Sequence, residues 1–188
     1  MKSPPTPKRR NAAETKSRLI KSAQSLFSQR GYPIVGIREI AASADVSSTM
    51  LLNYFGSKAG LYESALVEAM SPSALSVFPR KNFGEFLANL FTSIDHVTTV
   101  PSMIMLSSAD PEAREISIRV TKEYAMKDLA NWLGAPDPQV RAVQIHLLSI
   151  GFIFHTKNLP FLKDVEGGNE KLTDWFADSV QAIVDQSH

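Results

Sequence analysis

Apolar residues recur at helical spacing along almost the whole chain. Leu19, Ile20, Ala23, Leu26 and Phe27 stand at i, i+1, i+4, i+7 and i+8, the stripe of an amphipathic helix. Asn11 with Glu14 three residues on makes a capping-box-like pair, so this first helix is expected to begin near Asn11. Gly31 ends it at C′, and Pro33 lies just beyond. Ile37, Ile40, Ala41 and Ala44 mark a second, short helix at i, i+3, i+4 and i+7, behind Gly36, an N-cap without a side-chain acceptor. Ala44-Asp45 serves as a turn, because Asp tolerates the left-handed conformation better than most residues. Ser47 then offers a hydroxyl to cap a third helix. Val46, Leu51 and Phe55 supply its buried side, while Ser48, Thr49, Asn53 and Tyr54 face elsewhere. Phe55-Gly56 closes it, and Ser57 caps a fourth helix carrying Leu61, Tyr62, Ala65, Leu66 and Ala69.

Residues 71–82, with prolines at 72 and 79, are a boundary or kink. A helix from Phe83 to about Thr99 carries Phe86, Leu87, Leu90, Phe91 and Ile94, and Pro101 is expected to break it before a short apolar piece, Ser102 to Leu106. Asp110 or Ser108 caps a helix with Pro111 in its first turn, running to about Leu133. Residues 139–157 are strongly apolar nearly all round. After the break at Pro160 and Gly167-Gly168, a last helix over about 169–185 carries Leu172, Trp175, Phe176, Val180, Ile183 and Val184. No segment alternates as a strand would. The expectation is an all-α chain of about nine helices, with a three-helix N-terminal helix-turn-helix domain at 11–57 and a larger helical domain at 58–188.

Charge sharpens this division. Residues 1–62 hold 10 Lys+Arg against 3 Asp+Glu, a net of +7; residues 63–188 hold 10 against 16, a net of −6. A basic first third joined to an acidic remainder suits a nucleic-acid-binding module on a body that does not touch phosphate, or else a basic solvated tail. Residues 1–10 are basic and proline-rich and read as a disordered arm. Lys8, Arg9 and Arg10 either reach a minor groove or simply aid solubility. The arm has no apolar stretch behind it, so it is not expected to be a secretory signal. No apolar run approaches the roughly 18–20 residues that span a bilayer. There is no cysteine, hence no disulfide framework and no thiolate chemistry, and a cytoplasmic location is expected.

Two helices as short as the second and third cannot form a core alone, and a helix-turn-helix that inserts its second helix into a DNA groove is the natural reading. The stretch GYPIVGIREIAASADVSSTMLLNYFGSKAGLYESAL, with Leu26-Phe27 before it, resembles the TetR family of bacterial transcriptional repressors. Phe27, Gly31, Tyr32, Arg38, Ile40, Ala41, Ala44, Val46, Ser47, Tyr54, Phe55, Ser57, Lys58 and Leu61 stand in the family's register. The segment LGAPDPQVRA and the glycine-containing apolar helix after it look like the C-terminal domain of one subgroup. The resemblance implies a homodimer that binds a palindromic operator in double-stranded DNA and releases it when a small molecule enters the C-terminal domain. Three positions depart from the pattern. Gly36 replaces the usual Thr before the second helix, Asp45 replaces the turn glycine, and Leu52 replaces a Tyr of the recognition helix.

The residues suggest separable roles on DNA. Lys58 pairs a cation with the free N–H groups of a helix start, a phosphate anchor. Tyr54 can donate to phosphate. Arg38, by family register, reads a guanine. Ser47, Ser48, Thr49 and Met50 lie at the N-terminal end of the recognition helix, where base edges are met. Asn53 pairs with adenine or touches phosphate. For Ser48, Thr49, Met50 and Asn53 a solvated face or a cap is an equal reading. Because the third helix has no Arg or Lys of its own, direct readout there rests on hydroxyls and on apolar contact with thymine methyls.

In the body, the 139–157 helix and the last helix form a candidate dimer interface through Val143, Leu147, Gly151, Trp175, Phe176 and Val180, with burial inside one subunit as the alternative. Candidate effector-pocket residues are Phe86, Asn89, Leu90, His96, Met103, Tyr124, His146 and Phe152, any of which also suits ordinary core packing. No catalytic motif is present. His146 and His155, nine residues apart at about 100° each, lie on opposite faces of one helix and cannot share a metal. Neither cofactor nor metal is expected, and a helical scaffold is the remaining alternative to a regulator.

Overall fold

The computed structural model describes residues 7–70, 80–93 and 99–186, and all regular structure in them is helical. The elements are α1 (Pro7–Arg30), α2 (Ile37–Ser43), α3 (Ser48–Phe55), α4 (Lys58–Ala69), a 3-10 turn (Arg80–Asn82), α5 (Phe83–Ser93), α6 (Thr99–Ser107), α7 (Pro111–Thr121), α8 (Lys127–Leu133), α9 (Pro138–Ile153) and α10 (Gly168–Val184). A π-helical turn, Lys122–Met126, joins α7 to α8 without a break, and a second one, Phe154–Asn158, extends α9. With α7 and α8 counted as one, the described residues hold nine helices.

Two expectations near helix starts are corrected. Residues 7–10 are helical, so α1 begins at Pro7 and not at Asn11, and only residues 1–6 of the expected arm lie outside the described residues. Proline presets φ for a first helical turn and needs no N–H there. Asn11 is interior to α1, and its carbonyl accepts a hydrogen bond from the Thr15 hydroxyl. Pro101 does not end a helix but lies in the first turn of α6, for the same reason.

The chain divides into two compact units. The first gathers the residues up to Ala69 together with 102–118, and the second gathers 70–101 and 119–188. The first therefore takes in α4, α6 and most of α7 in addition to the three helices at 11–57. Its core is Leu19, Ala23, Phe27, Ile40, Leu51, Leu61, Tyr62 and Leu66, closed by Met103 and Ala113 from α6 and α7. Three rings meet inside it. Phe27 and Tyr32 both stand edge-on to Tyr62, with centroids 5.2 Å away in each case. The Tyr62 hydroxyl bonds the Met103 carbonyl at 3.2 Å and the Ser117 hydroxyl at 3.0 Å.

In the second unit α10 packs along α5 and against α9, and α8 packs on α9. Phe83, Phe91, Leu133, Ile145, Phe152, Phe176 and Val180 fill its core, with Phe152 and Phe176 stacked at 4.4 Å. A Cβ at Gly84 would lie 2.9 Å from the Ala177 carbonyl carbon, so only glycine lets α5 approach α10 this closely. Arg141 is almost wholly buried in the start of α9. Its guanidinium donates to the carbonyls of Ile183 and Val184 at 2.9 Å and of Gly134 and Pro136 at 3.1 and 3.2 Å. A cation thus satisfies the end of α10, where orphan carbonyls gather.

Candidate nucleic-acid interface

The α2-turn-α3 unit is built by local rules. Ala44 N–H bonds the Ile40 carbonyl, Asp45 N–H the Ala42 carbonyl and Val46 N–H the Ala41 carbonyl. Asp45 holds φ 54°, the left-handed turn expected of it. Ser47 is extended, and its hydroxyl accepts from Met50 N at 3.1 Å, a cap worth about 1 kcal/mol. Gly36 precedes α2 with no side-chain cap bond. Gly56, at φ 73°, closes α3, and Ser57 accepts from Gly60 N at 3.0 Å to open α4.

Leu51 anchors α3 in the core, with Val46 and Phe55 half-buried beside it. Thr49, Met50, Leu52, Asn53 and Tyr54 are all exposed, and Ser48 is half-buried. Met50, Leu52 and Tyr54 keep 36–42% of their surface in water. A short helix that shows three large apolar or aromatic groups to solvent suits an occupying partner better than water. Arg38 is exposed on α2. Its neighbour Glu39 is neutralised by an ion pair with Arg30. Ser47 is exposed, with its hydroxyl oxygen engaged in the cap and its proton free to be donated.

Lys58 is placed differently from these. It is half-buried, and its Nζ sits 4.2 Å from the centre of the Tyr32 ring. Burial lowers its pKa, while the nearby Asp110 and Glu112 carboxylates act in the opposite direction. Tyr32 donates its hydroxyl proton to Glu112, and its N–H bonds the Ser107 hydroxyl at 2.9 Å. Tyr32 falls in the register noted above. Glu112, 80 residues further on, carries no local signal that would tie it to a helix-turn-helix.

The residues singled out in the body separate into groups. Phe176 and Val180 are fully buried in the core of their own unit, so their assignment to a dimer surface is corrected. Successive helical residues differ by 100°, which leaves Trp175 outside at 53% exposure while Phe176 turns in. Val143 and Leu147 are exposed at 48% and 66%, and Val140 extends the same face. Gly151 is half-buried, with open space where a Cβ would stand. Among the pocket residues, Met103 belongs to the core of the first unit and Phe152 to that of the second. Asn89 is exposed, and His96 lies outside the described residues. Phe86, Leu90, Tyr124 and His146 are half-buried. Burial lowers the His146 pKa and so favours the neutral imidazole. Tyr124 lies in the π turn, directly after Thr121, whose buried hydroxyl oxygen has no hydrogen-bond partner among the described residues.

An all-α chain with an exposed, capped second helix after a left-handed turn belongs to the helix-turn-helix class of proteins. Residues 19–65 match the model of the bacterial regulatory proteins of the tetR family, and residues 82–184 match the tetracyclin repressor-like C-terminal domain. The chain is a member of the TetR family. It is 44% identical over 54 residues to the Probable HTH-type transcriptional regulator YttP of Bacillus subtilis (strain 168), a stretch that spans 29% of this chain and 26% of that relative. Among solved structures, a Rhodococcus sp. protein assigned to the TetR family superposes with TM-score 0.71 at 18% identity, over 92% of this chain and 100% of the other. NalD, the secondary repressor of the MexAB-OprM multidrug efflux pump in Pseudomonas aeruginosa, superposes with TM-score 0.60 at 16% identity, over 90% of this chain and 96% of NalD. At these identities the likeness concerns the fold.

Proposed function

We propose that this protein is a ligand-responsive, DNA-binding transcriptional regulator of the repressor kind. Two copies bind a palindromic operator, one α3 per half-site, and a small apolar effector in the second unit releases them. The observation that carries the proposal is the exposed surface of α3 behind its Ser47 cap, in a chain of this family. Arg38, Thr49, Met50, Asn53 and Tyr54 are the groups offered to DNA. The protein acts in the cytoplasm, where the operator is, and no catalytic step is assigned to it.

The homodimer is proposed to form on the α9–α10 face, where Val140, Val143, Leu147 and Trp175 remain exposed. An isologous contact of this kind sets the spacing of the two α3 helices to that of the half-sites. The effector is proposed to bind near the π turn. Such turns recur at functional sites, and what supports the reading is the buried Thr121 hydroxyl at the start of this one, which has no hydrogen-bond partner among the described residues.

Footprinting on duplex DNA from around the protein's own promoter tests the reading. A discrete protected palindrome at nanomolar protein is expected. Weak binding without sequence preference over that whole region overturns it. Compounds that raise the melting temperature are then expected to release the palindrome.

A further inference from the structure

Lys58 is the natural phosphate anchor of this module, yet in the DNA-free protein its ammonium is occupied. It lies 4.2 Å over the face of Tyr32. Tyr32 cannot easily move away. Its N–H is bonded to Ser107, its hydroxyl to Glu112, and its ring to Phe27 and Tyr62 at centroid distances of 5.8 and 5.2 Å. Gly31, just before it, is pressed against the backbone of Leu106. The Lys58 stem, by contrast, has four rotatable bonds and can swing. Glu112 stands in the first turn of α7, and Asp110 beside it caps that helix by accepting from Ala113 N at 2.9 Å. Both carboxylates act on the Lys58 charge. The protein's claimants on this cation are thus Asp110 and Glu112, the latter held at the Tyr32 hydroxyl, and a DNA phosphate competes with them.

We propose that Glu112, through Tyr32, is a positioning residue for Lys58: it holds the ammonium in an inward, autoinhibitory site from which DNA binding must withdraw it. The α6–α7 corner then tunes operator affinity without touching DNA. This inference rests on the DNA-binding reading above. The contacts involved all lie within the first compact unit.

A double-mutant cycle on the full chain tests it, with duplex DNA as probe at several salt concentrations. The carboxamide of a glutamine can still accept the Tyr32 hydroxyl, so Glu112→Gln removes the charge and keeps the bond. In the presence of Lys58, Glu112→Gln is expected to tighten binding about two- to fivefold, the scale of a part-exposed ion pair. It should also steepen the salt dependence by up to about one phosphate's worth of slope. In a Lys58→Ala background the same substitution is expected to do nearly nothing. An equal gain in both backgrounds overturns the proposal, because Glu112 would then act only as a general negative charge. No gain with Lys58 present overturns it as well.

A second measurement needs no variant. The ε-methylene protons of Lys58 are expected upfield in the free protein, shielded by the Tyr32 ring, and at ordinary positions once DNA is bound. Shielding that persists at saturating DNA, or is absent from the start, overturns the proposal. If the wild-type chain binds no duplex at all, the DNA-binding reading fails together with this one, a result distinct from a binding protein whose cycle is additive.

Discussion

Gly31 lies against the backbone of Leu106: a Cβ on it would stand 2.9 Å from the Leu106 carbonyl carbon and closer still to the oxygen. Gly31 also holds φ 77°, where side chains are strained. Gly31→Ala is expected to cost about 2–4 kcal/mol, combining left-handed strain with overpacking. Calorimetric melting checks this; an unchanged melting temperature would mean that α6 gives way at no cost.

Arg141 gives a prediction in the second unit. Arg141→Ala leaves the buried Val184 carbonyl and the part-buried carbonyls of Gly134, Pro136 and Ile183 without their donor. A loss of about 3 kcal/mol is expected from unsatisfied acceptors alone. Urea unfolding measures it, and hydrogen exchange should show the end of α10 opening first.

On α3, Leu52 occupies an exposed position where the family pattern has a phenol. Leu52→Tyr is expected to leave the melting temperature within about 1 °C. It should also tighten operator binding severalfold through one added phosphate contact. Titration of a labelled operator reads the gain; weaker binding would mean that the leucine itself makes a needed apolar contact.

The dimer surface is tested at Leu147, 66% exposed on α9. Leu147→Glu buries nothing in the monomer but sets like charges against each other across a two-fold interface. Sedimentation should show the wild type as a dimer and the variant shifted to monomer, with operator affinity reduced in parallel. A variant that sediments like the wild type would move the interface elsewhere.

The two buried phenols set an alkaline limit. Burial, reinforced by Glu112, raises the Tyr32 pKa, and burial raises that of Tyr62 against the opposing Ser107 and Ser117 hydroxyls. Above about pH 10, the ordinary phenol value, the unfolded chain ionises while the native one stays protonated. Unfolding then releases protons, so the contribution of these groups is full below pH 10 and is lost as pH rises towards the raised values. The melting temperature is expected to fall from about pH 10 upward, and less steeply in Tyr32→Phe. An equal slope in that variant would remove Tyr32 from the account.

Much of the helix-turn-helix was legible in the chain because its determinants are local. The Asp45 turn, the Ser47 and Ser57 caps and the Gly56 stop each depend on partners within about four residues, which capping chemistry specifies. The apolar stripes likewise specified the nine helices of the described residues, because burial follows the 3.6-residue period, while residues 71–79 of the expected break lie outside them. The start of α1 was missed because the Asn11–Glu14 pair imitates a cap that Pro7 makes unnecessary.

Tertiary packing decided the rest. Trp175 and Phe176 are adjacent large aromatics, and only the seat of α10 between α5 and α9 determines which one is buried. Met103 and Phe152 are both candidate pocket residues in the sequence, and only the fold assigns them to separate cores. Tyr32 and Glu112 are 80 positions apart, so no periodicity relates them. Their bond, and the Lys58 ammonium held over the ring, exist because α7 folds back onto the same unit as α1 and α4. Local chemistry thus specified the shape of the DNA-reading module, and long-range packing decided where its most exposed-looking cation rests.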